Sequence, residues 1–118
     1  MTVSEAVQRI DAMVRNTYTR EEKLFWLSNL DAQICAFILK TDPPEPYHKQ
    51  KNPDTELLAK PPFDMMYIHW LEAQIAYANG EFDRYNNAIE TFHAEYAEFQ
   101  KKHQRDNAAA KITTIKYF

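Results

Sequence analysis

Hydrophobic residues recur at every third or fourth position in four separate stretches of the chain, and this spacing predicts four helices. The first follows Thr2 and ends near Val14, and the second follows Thr19 and ends at Lys40. Both begin with a threonine that is followed three residues later by a glutamate. This capping box satisfies backbone donors that the first turn leaves free, so it predicts where both helices start.

The second predicted helix has an apolar side that is broader than one stripe. Leu24, Phe25 and Trp26 widen this side near its start, and we expect such a helix to pack against two neighbours. Its inward positions are predicted to be Leu27, Leu30, Ile34, Phe37 and Ile38.

The third and fourth helices are predicted to form an antiparallel hairpin. Asp64 is a suitable N-cap for the third helix. Asn79 and Gly80 end it, because glycine tolerates the left-handed conformation that closes a helix. In the fourth helix, which starts near Glu81, alternating steps of three and four indicate a packing seam. The seam residues are Phe82, Tyr85, Ile89, Phe92, Tyr96, Phe99 and His103.

All six prolines of the chain lie within residues 41–63. Each proline removes a backbone donor and disfavours helical geometry in the residue before it, so a long irregular loop is predicted between helices two and three. Leu57 and Leu58 are expected to pin this loop to the body of the protein. A solvated tether is the alternative.

The last residues change in character, because β-branched and aromatic side chains replace helix formers. Residues 107–118 are therefore predicted to be an extended tail, either frayed or paired with another chain. The predicted fold class is a single all-α domain over residues 1–118, with four helices, the proline-rich loop and this tail.

Composition and charge exclude several classes of function. Gly80 is the single glycine, which leaves no material for a glycine-rich phosphate loop or a Rossmann fingerprint. The net charge is −3 and no basic stretch could neutralise a row of phosphates, so specific nucleic-acid binding is not expected. No apolar run is long enough to span a bilayer, so no membrane partner is expected. Cys35, the lone cysteine, is predicted to be buried in a reducing compartment, which indicates a cytoplasmic origin.

Glu90 and His93 form the one motif that is typical of a metal site, because residues three apart on a helix project together. Di-iron bundles need a second such motif and two further inward carboxylates, and the chain has no second copy in that order. The pattern therefore predicts at least one exposed residue here, with no metal site, no cofactor and no catalytic residues.

Aromatic residues are more numerous than the interior of a four-helix unit of this length can hold, with seven tyrosines, seven phenylalanines and two tryptophans. Large aromatic side chains dominate protein interfaces, so we expect some of them to be shared with another molecule. The predicted interface residues are Trp26, Trp70, Tyr47, Ile112, Ile115, Tyr117 and Phe118.

Two segments also resemble a known family. They are YTREEKLFWLSNLDAQI, residues 18–34, and YIHWLEAQIAYANGEFDRYNNAIETF, residues 67–92. They are similar to small all-helical proteins encoded beside the capsid genes of tailed bacteriophages and of prophages of Gram-positive bacteria. The resemblance implies a head-tail connector or adaptor that forms rings on a portal.

The expected function is therefore structural assembly of a virion, through contacts with other copies of the chain and with portal or neighbouring connector proteins. The protein would lie in the host cytoplasm during assembly and afterwards in the virion. A regulatory or scaffolding helical module of the host is the main alternative, and a small metal-dependent enzyme is a less favoured one.

Overall fold

Four α-helices build the protein, as predicted, in a computed structural model that describes the backbone of residues 1–116 and the side chains of residues 1–109. The helices are α1 (Val3–Met13), α2 (Arg20–Ile34), α3 (Met65–Ala78) and α4 (Phe82–Lys116). No β-strand is present among the described residues. None of the helices, within that part of the chain, has the length and apolar character needed to cross a membrane.

The predicted threonine caps are present at the starts of α1 and α2. The Oγ1 atoms of Thr2 and Thr19 each accept a hydrogen bond of 3.1 Å from the backbone N–H three residues later. Asp64 also precedes its helix, but its carboxylate makes no capping hydrogen bond. It lies instead 3.6 Å from the amino-terminal ammonium of Met1.

The prediction for the end of the second helix was only partly correct. The chain does reach Lys40, but the last turn, Cys35–Leu39, is a π-helix that ends at Lys40 in the left-handed conformation, with φ 56°. A π turn contains more residues than an α turn, so it shifts the phase of the side chains. Ile38 therefore points inward, whereas Phe37 is 64% exposed, contrary to its predicted inward position.

Helix α3 lies at the centre of the fold, because α1, α2 and α4 all pack against it. A helix that is apolar on nearly every side is stable only when it is surrounded. The side chains of α3 accordingly fill the core through Met66, Tyr67, Ile68, Leu71, Ala73, Ile75 and Ala76.

The predicted antiparallel hairpin of α3 and α4 is confirmed. Gly80 has φ +73°, and the N–H groups of Gly80 and Glu81 bond back to the carbonyls of Tyr77 and Ala76, at 3.1 and 2.9 Å. This pair of bonds is a Schellman motif, which reverses the chain directly after the helix. The reversal brings the aromatic seam of α4 onto α3.

The packing seam of α4 is centred on Phe92, which is 4% exposed. Its ring lies 5.0 Å from that of Trp70 on α3 and 5.6 Å from that of Tyr96. Ile89 and Phe99 are partly buried against the same core, as predicted. Phe82, at the predicted start of the seam, is 59% exposed and lies outside it.

Helix α4 is much longer than its partner, with 35 residues against 14 in α3. It continues beyond Phe99, whose ring contacts Phe63 next to the start of α3, and the molecule is 57 Å long. The extended conformation predicted from residue 107 is thus wrong as far as Lys116. Once a helix exists, each added residue gains a hydrogen bond without a new nucleation cost, and Ala108–Ala110 are strong helix formers. Tyr117 and Phe118 lie outside the described residues.

The proline-rich loop packs on the helices and is not a solvated tether. Leu57 is fully buried, as predicted, and Ala59 beside it is buried too. The N–H of Leu57 bonds to the carbonyl of Met1 at 3.1 Å, and the N–H of Val3 bonds to the carbonyl of Thr55 at 2.9 Å. The loop is thereby fixed to the start of α1.

An ion pair joins α1 to α2. Lys23 is 4% exposed, and its Nζ lies 2.6 Å from Oδ1 of Asp11. Burial by itself would raise the pKa of Asp11, but hydrogen bonds from Lys23 and Asn16 and the positive charge of Lys23 outweigh it and lower that pKa below 3.8.

Replacing Asp11 with asparagine is expected to lower the free energy of unfolding by about 1–3 kcal/mol at pH 7, because the buried ammonium loses its ionic acceptor. Since the folded-state pKa is lowered, the stabilisation is present above pH 3.8 and is lost as the pH falls below it. Urea unfolding at pH 7 and pH 3 measures both effects. A difference in unfolding free energy between the wild type and Asp11→Asn that is the same at both pH values would contradict this account. The control is the double variant Lys23→Met with Asp11→Asn, which has no buried charge at this position.

Candidate interaction surfaces

A buried carboxylate connects α2, the proline-rich loop and α3. Asp31 is fully buried, and its Oδ1 accepts a 2.6 Å hydrogen bond from the hydroxyl of Tyr67, while its Oδ2 accepts one from the hydroxyl of Tyr47. The N–H of Leu58 donates to Oδ2 at 3.3 Å, and the N–H of Ala59 donates to the Tyr67 hydroxyl at 2.8 Å. Three donors, two from the proline-rich loop and one from α3, thus converge on one side chain of α2.

Burial governs the electrostatics of this network. It raises the pKa of Asp31, although the hydrogen bonds from Tyr47, Tyr67 and Leu58 act in the opposite direction. Burial and the adjacent carboxylate also raise the pKa of both tyrosines above the usual range, so their hydroxyls remain protonated donors. The network therefore has the properties of a structural anchor.

This anchor sets the position of a groove on the outer side of α2. Tyr47 is held by Asp31 and also donates its N–H to Oγ of Ser28 at 2.7 Å, which presses residues 43–48 against the helix. The groove has a volume of about 220 Å³ and we name it the proline groove. It is lined mainly by Phe25, Ala32, Pro43, Pro44, Pro46 and His48, with Ser28 and Asn29 at its polar margin.

Phe25 forms the exposed wall of the proline groove. The sequence pattern placed it among the residues that widen the apolar side of α2; it is 51% exposed, and its ring centroid lies 6.0 Å from that of His48. The residues that line the groove include no Asp, Glu, Lys or Arg. An exposed aromatic ring on a surface without charge is typical of the core of a protein interface.

A second exposed aromatic group lies where the chain reverses between α3 and α4. Tyr77 is 62% exposed and Phe82 is 59% exposed, and their ring centroids are 6.0 Å apart. The ring of Tyr85 lies 5.3 Å from that of Tyr77. We name Tyr77, Phe82 and Tyr85 the hairpin knob.

Three of the seven residues predicted as interface contacts have described side chains, and none of these three belongs to the proline groove or the hairpin knob. Trp26 and Trp70 are partly buried against the core, and Nε1 of Trp70 donates to the carbonyl of Trp26 at 2.9 Å. Tyr47 is 3% exposed, which removes it as a surface contact, because its hydroxyl is used by Asp31. Ile112 and Ile115 belong to α4, but the structure describes only their backbone. Tyr117 and Phe118 lie outside the described residues.

The Glu90 and His93 motif, which is typical of a metal site, lies on the surface. Glu90 and His93 are both exposed. His69 Nδ1 lies against Glu95 Oε1 between α3 and α4, and neither atom hydrogen-bonds to any further described residue. Within the described part of the chain, no three His, Cys, Asp or Glu side chains are grouped so that they could hold a metal ion.

Sequence reasoning missed the buried Asp31 network and both exposed surfaces. Asp31 had a signal, since it is the one charged residue in a long apolar stretch of a helix. The groove and the knob had none, because they depend on how the loop and the hairpin pack. Comparisons of the chain with protein-family models, curated proteins and solved structures found no match.

Proposed function

We propose that this chain is a structural protein of a tailed-phage or prophage virion, where it acts as a head-tail connector that assembles with its own copies and with the portal. The observation that carries the proposal is the exposure of aromatic rings on two separate surfaces, the proline groove and the hairpin knob. Clusters of exposed aromatic rings favour contact with other proteins. The resemblance of residues 18–34 and 67–92 to phage proteins specifies the kind of assembly.

The charge distribution is compatible with this role. The chain has a net charge of −3, and a weakly acidic ring would not hold the phosphates of DNA that passes through it. Such a protein would assemble in the host cytoplasm and then become part of the virion.

Binding to the portal protein encoded beside this chain tests the proposal. Purified portal rings should gain mass in multiples of the 14.0 kDa subunit when they are mixed with the chain, as measured by light scattering after size-exclusion chromatography. A matched portal from an unrelated phage serves as the control. If the chain does not bind its own portal and instead forms a stable dimer, the connector role is wrong and a host scaffolding module is favoured.

A further inference from the structure

We propose that the hairpin knob of one copy inserts into the proline groove of the next copy, so that the chain assembles head to tail. This inference rests on the proposed function and names the contact that would build its ring. Both surfaces belong to the same chain, and both are exposed in the single copy.

One copy cannot close this contact on itself. The groove lies on the outer side of α2, and the knob lies at the end of the α3–α4 hairpin. Helix α3 lies between α2 and α4, and among the described residues the helical part of α2 makes no packing contact with α4. The knob can therefore fill only the groove of another molecule.

The sizes of the two surfaces agree. A cavity of about 150 Å³ can hold a benzene ring, and the proline groove, at about 220 Å³, has room for the ring of Phe82. The prolines in its wall have a fixed φ and lose little entropy when they are covered. The hairpin knob is also preorganised, because the rings of Tyr77 and Tyr85 are already in contact.

Charges of both signs lie at the margin of the proline groove, because the exposed acids Asp42 and Glu45 adjoin its prolines and two lysines follow His48. Lys49 and Lys51 follow the groove residue His48, are exposed, and have no ion pair within the described residues. Asp83, next to Phe82 on the knob, is also exposed and forms no ion pair with a described residue. Docking with Asp83 towards these lysines would pair charges at the rim while the aromatic rings fill the uncharged centre.

A contact between two different surfaces has a geometric consequence. It leaves a free knob at one end and a free groove at the other end of every complex, so copies continue to add until a ring closes. A contact between two identical surfaces would stop at a dimer. The two cases can therefore be distinguished by experiment.

The test uses two variants that each disable one surface, Phe25→Asp for the groove and Phe82→Asp for the knob. Both positions are exposed, so the monomer should fold. Sedimentation velocity up to about 1 mM should show that the wild type forms species larger than a dimer, while each variant alone associates about 30-fold or more weakly, as when an interface hot spot is removed. An equimolar mixture of the two variants retains one intact knob and one intact groove, and should stop at twice the monomer mass.

Phe37→Asp is the matched control, because Phe37 is an equally exposed phenylalanine outside both surfaces. It should assemble like the wild type. The inference is overturned if the wild type stays monomeric, if either single variant still forms large species, or if the mixture does not dimerise. If the chain binds its portal but the mixture of variants does not dimerise, the connector role stands and the knob–groove contact is wrong. If the mixture dimerises but the chain does not bind a portal, the contact stands and the connector role is wrong.

Discussion

Replacing Asp31 with alanine is expected to lower the free energy of unfolding by about 3–5 kcal/mol, because several buried donors lose their acceptor together. The hydroxyls of Tyr47 and Tyr67 and the N–H of Leu58 all donate to this carboxylate. Domains of this size are stable by only about 5–15 kcal/mol, so the loss would be a large fraction of the total. Urea unfolding followed by circular dichroism measures it.

Asp31→Asn is the informative companion, because it keeps an acceptor for one tyrosine and removes the charge. Burial raises the pKa of Asp31 above its ordinary value of 3.8, so the folded state binds the proton more tightly than the unfolded state. The stabilisation that comes from this tighter proton binding is therefore fully present below pH 3.8 and is lost as the pH rises through the folded-state pKa, whereas the hydrogen bonds to the carboxylate are a separate contribution. When the pH is lowered from 7 to 4, the free energy of unfolding of the wild type should rise relative to that of Asp31→Asn. If the free energies of both proteins change equally with pH, Asp31 does not titrate as a buried group.

Replacing Phe92 with alanine is expected to lower the free energy of unfolding by about 3–5 kcal/mol, the cost of removing a buried phenylalanine and leaving a cavity. Phe92 is 4% exposed and packs its ring against Trp70 and Tyr96. In the part of the chain that the structure describes, helix α4 packs on α3 and on the π turn and makes no contact with α1. The seam centred on Phe92 is therefore the main attachment of this helix.

Denaturant unfolding followed by tryptophan fluorescence measures the effect, because Trp70 reports directly on the contact. Phe37→Ala, at an exposed position, should change stability by no more than about 0.5 kcal/mol. A loss below about 1 kcal/mol for Phe92→Ala would mean that α4 is held elsewhere, since a buried ring of this size costs more than that.

The proline-rich loop illustrates why part of the candidate site could not be predicted. Its lack of helix followed from the prolines themselves, which act on their own residue and the one before it. Its attachment through Tyr47 and Asp31 joins residues that are 16 positions apart in sequence, and no local pattern encodes that distance. Tyr47 was consequently predicted at the surface, although it is buried.

Phe25 and Phe37 show a second limit of pattern reasoning. An apolar side chain on a helix is assigned to the inward side by default, because burial of apolar surface is the main driving force of folding. Whether the neighbouring elements have room for it depends on the whole fold. Here Leu27, Leu30 and Ile34 fill the space, and the two phenylalanines face outward.

The amino-acid sequence by itself determined the four helices, the caps at Thr2 and Thr19, the reversal at Gly80 and the seam around Phe92. These features depend on interactions between residues that are at most a few positions apart, or on a periodicity that repeats along one helix. The tertiary structure alone decided the burial of Tyr47, the convergence on Asp31, the proline groove and the hairpin knob. Those features arise from competition between distant segments for one interior, and the outcome depends on the volumes and hydrogen-bonding groups of all of them together.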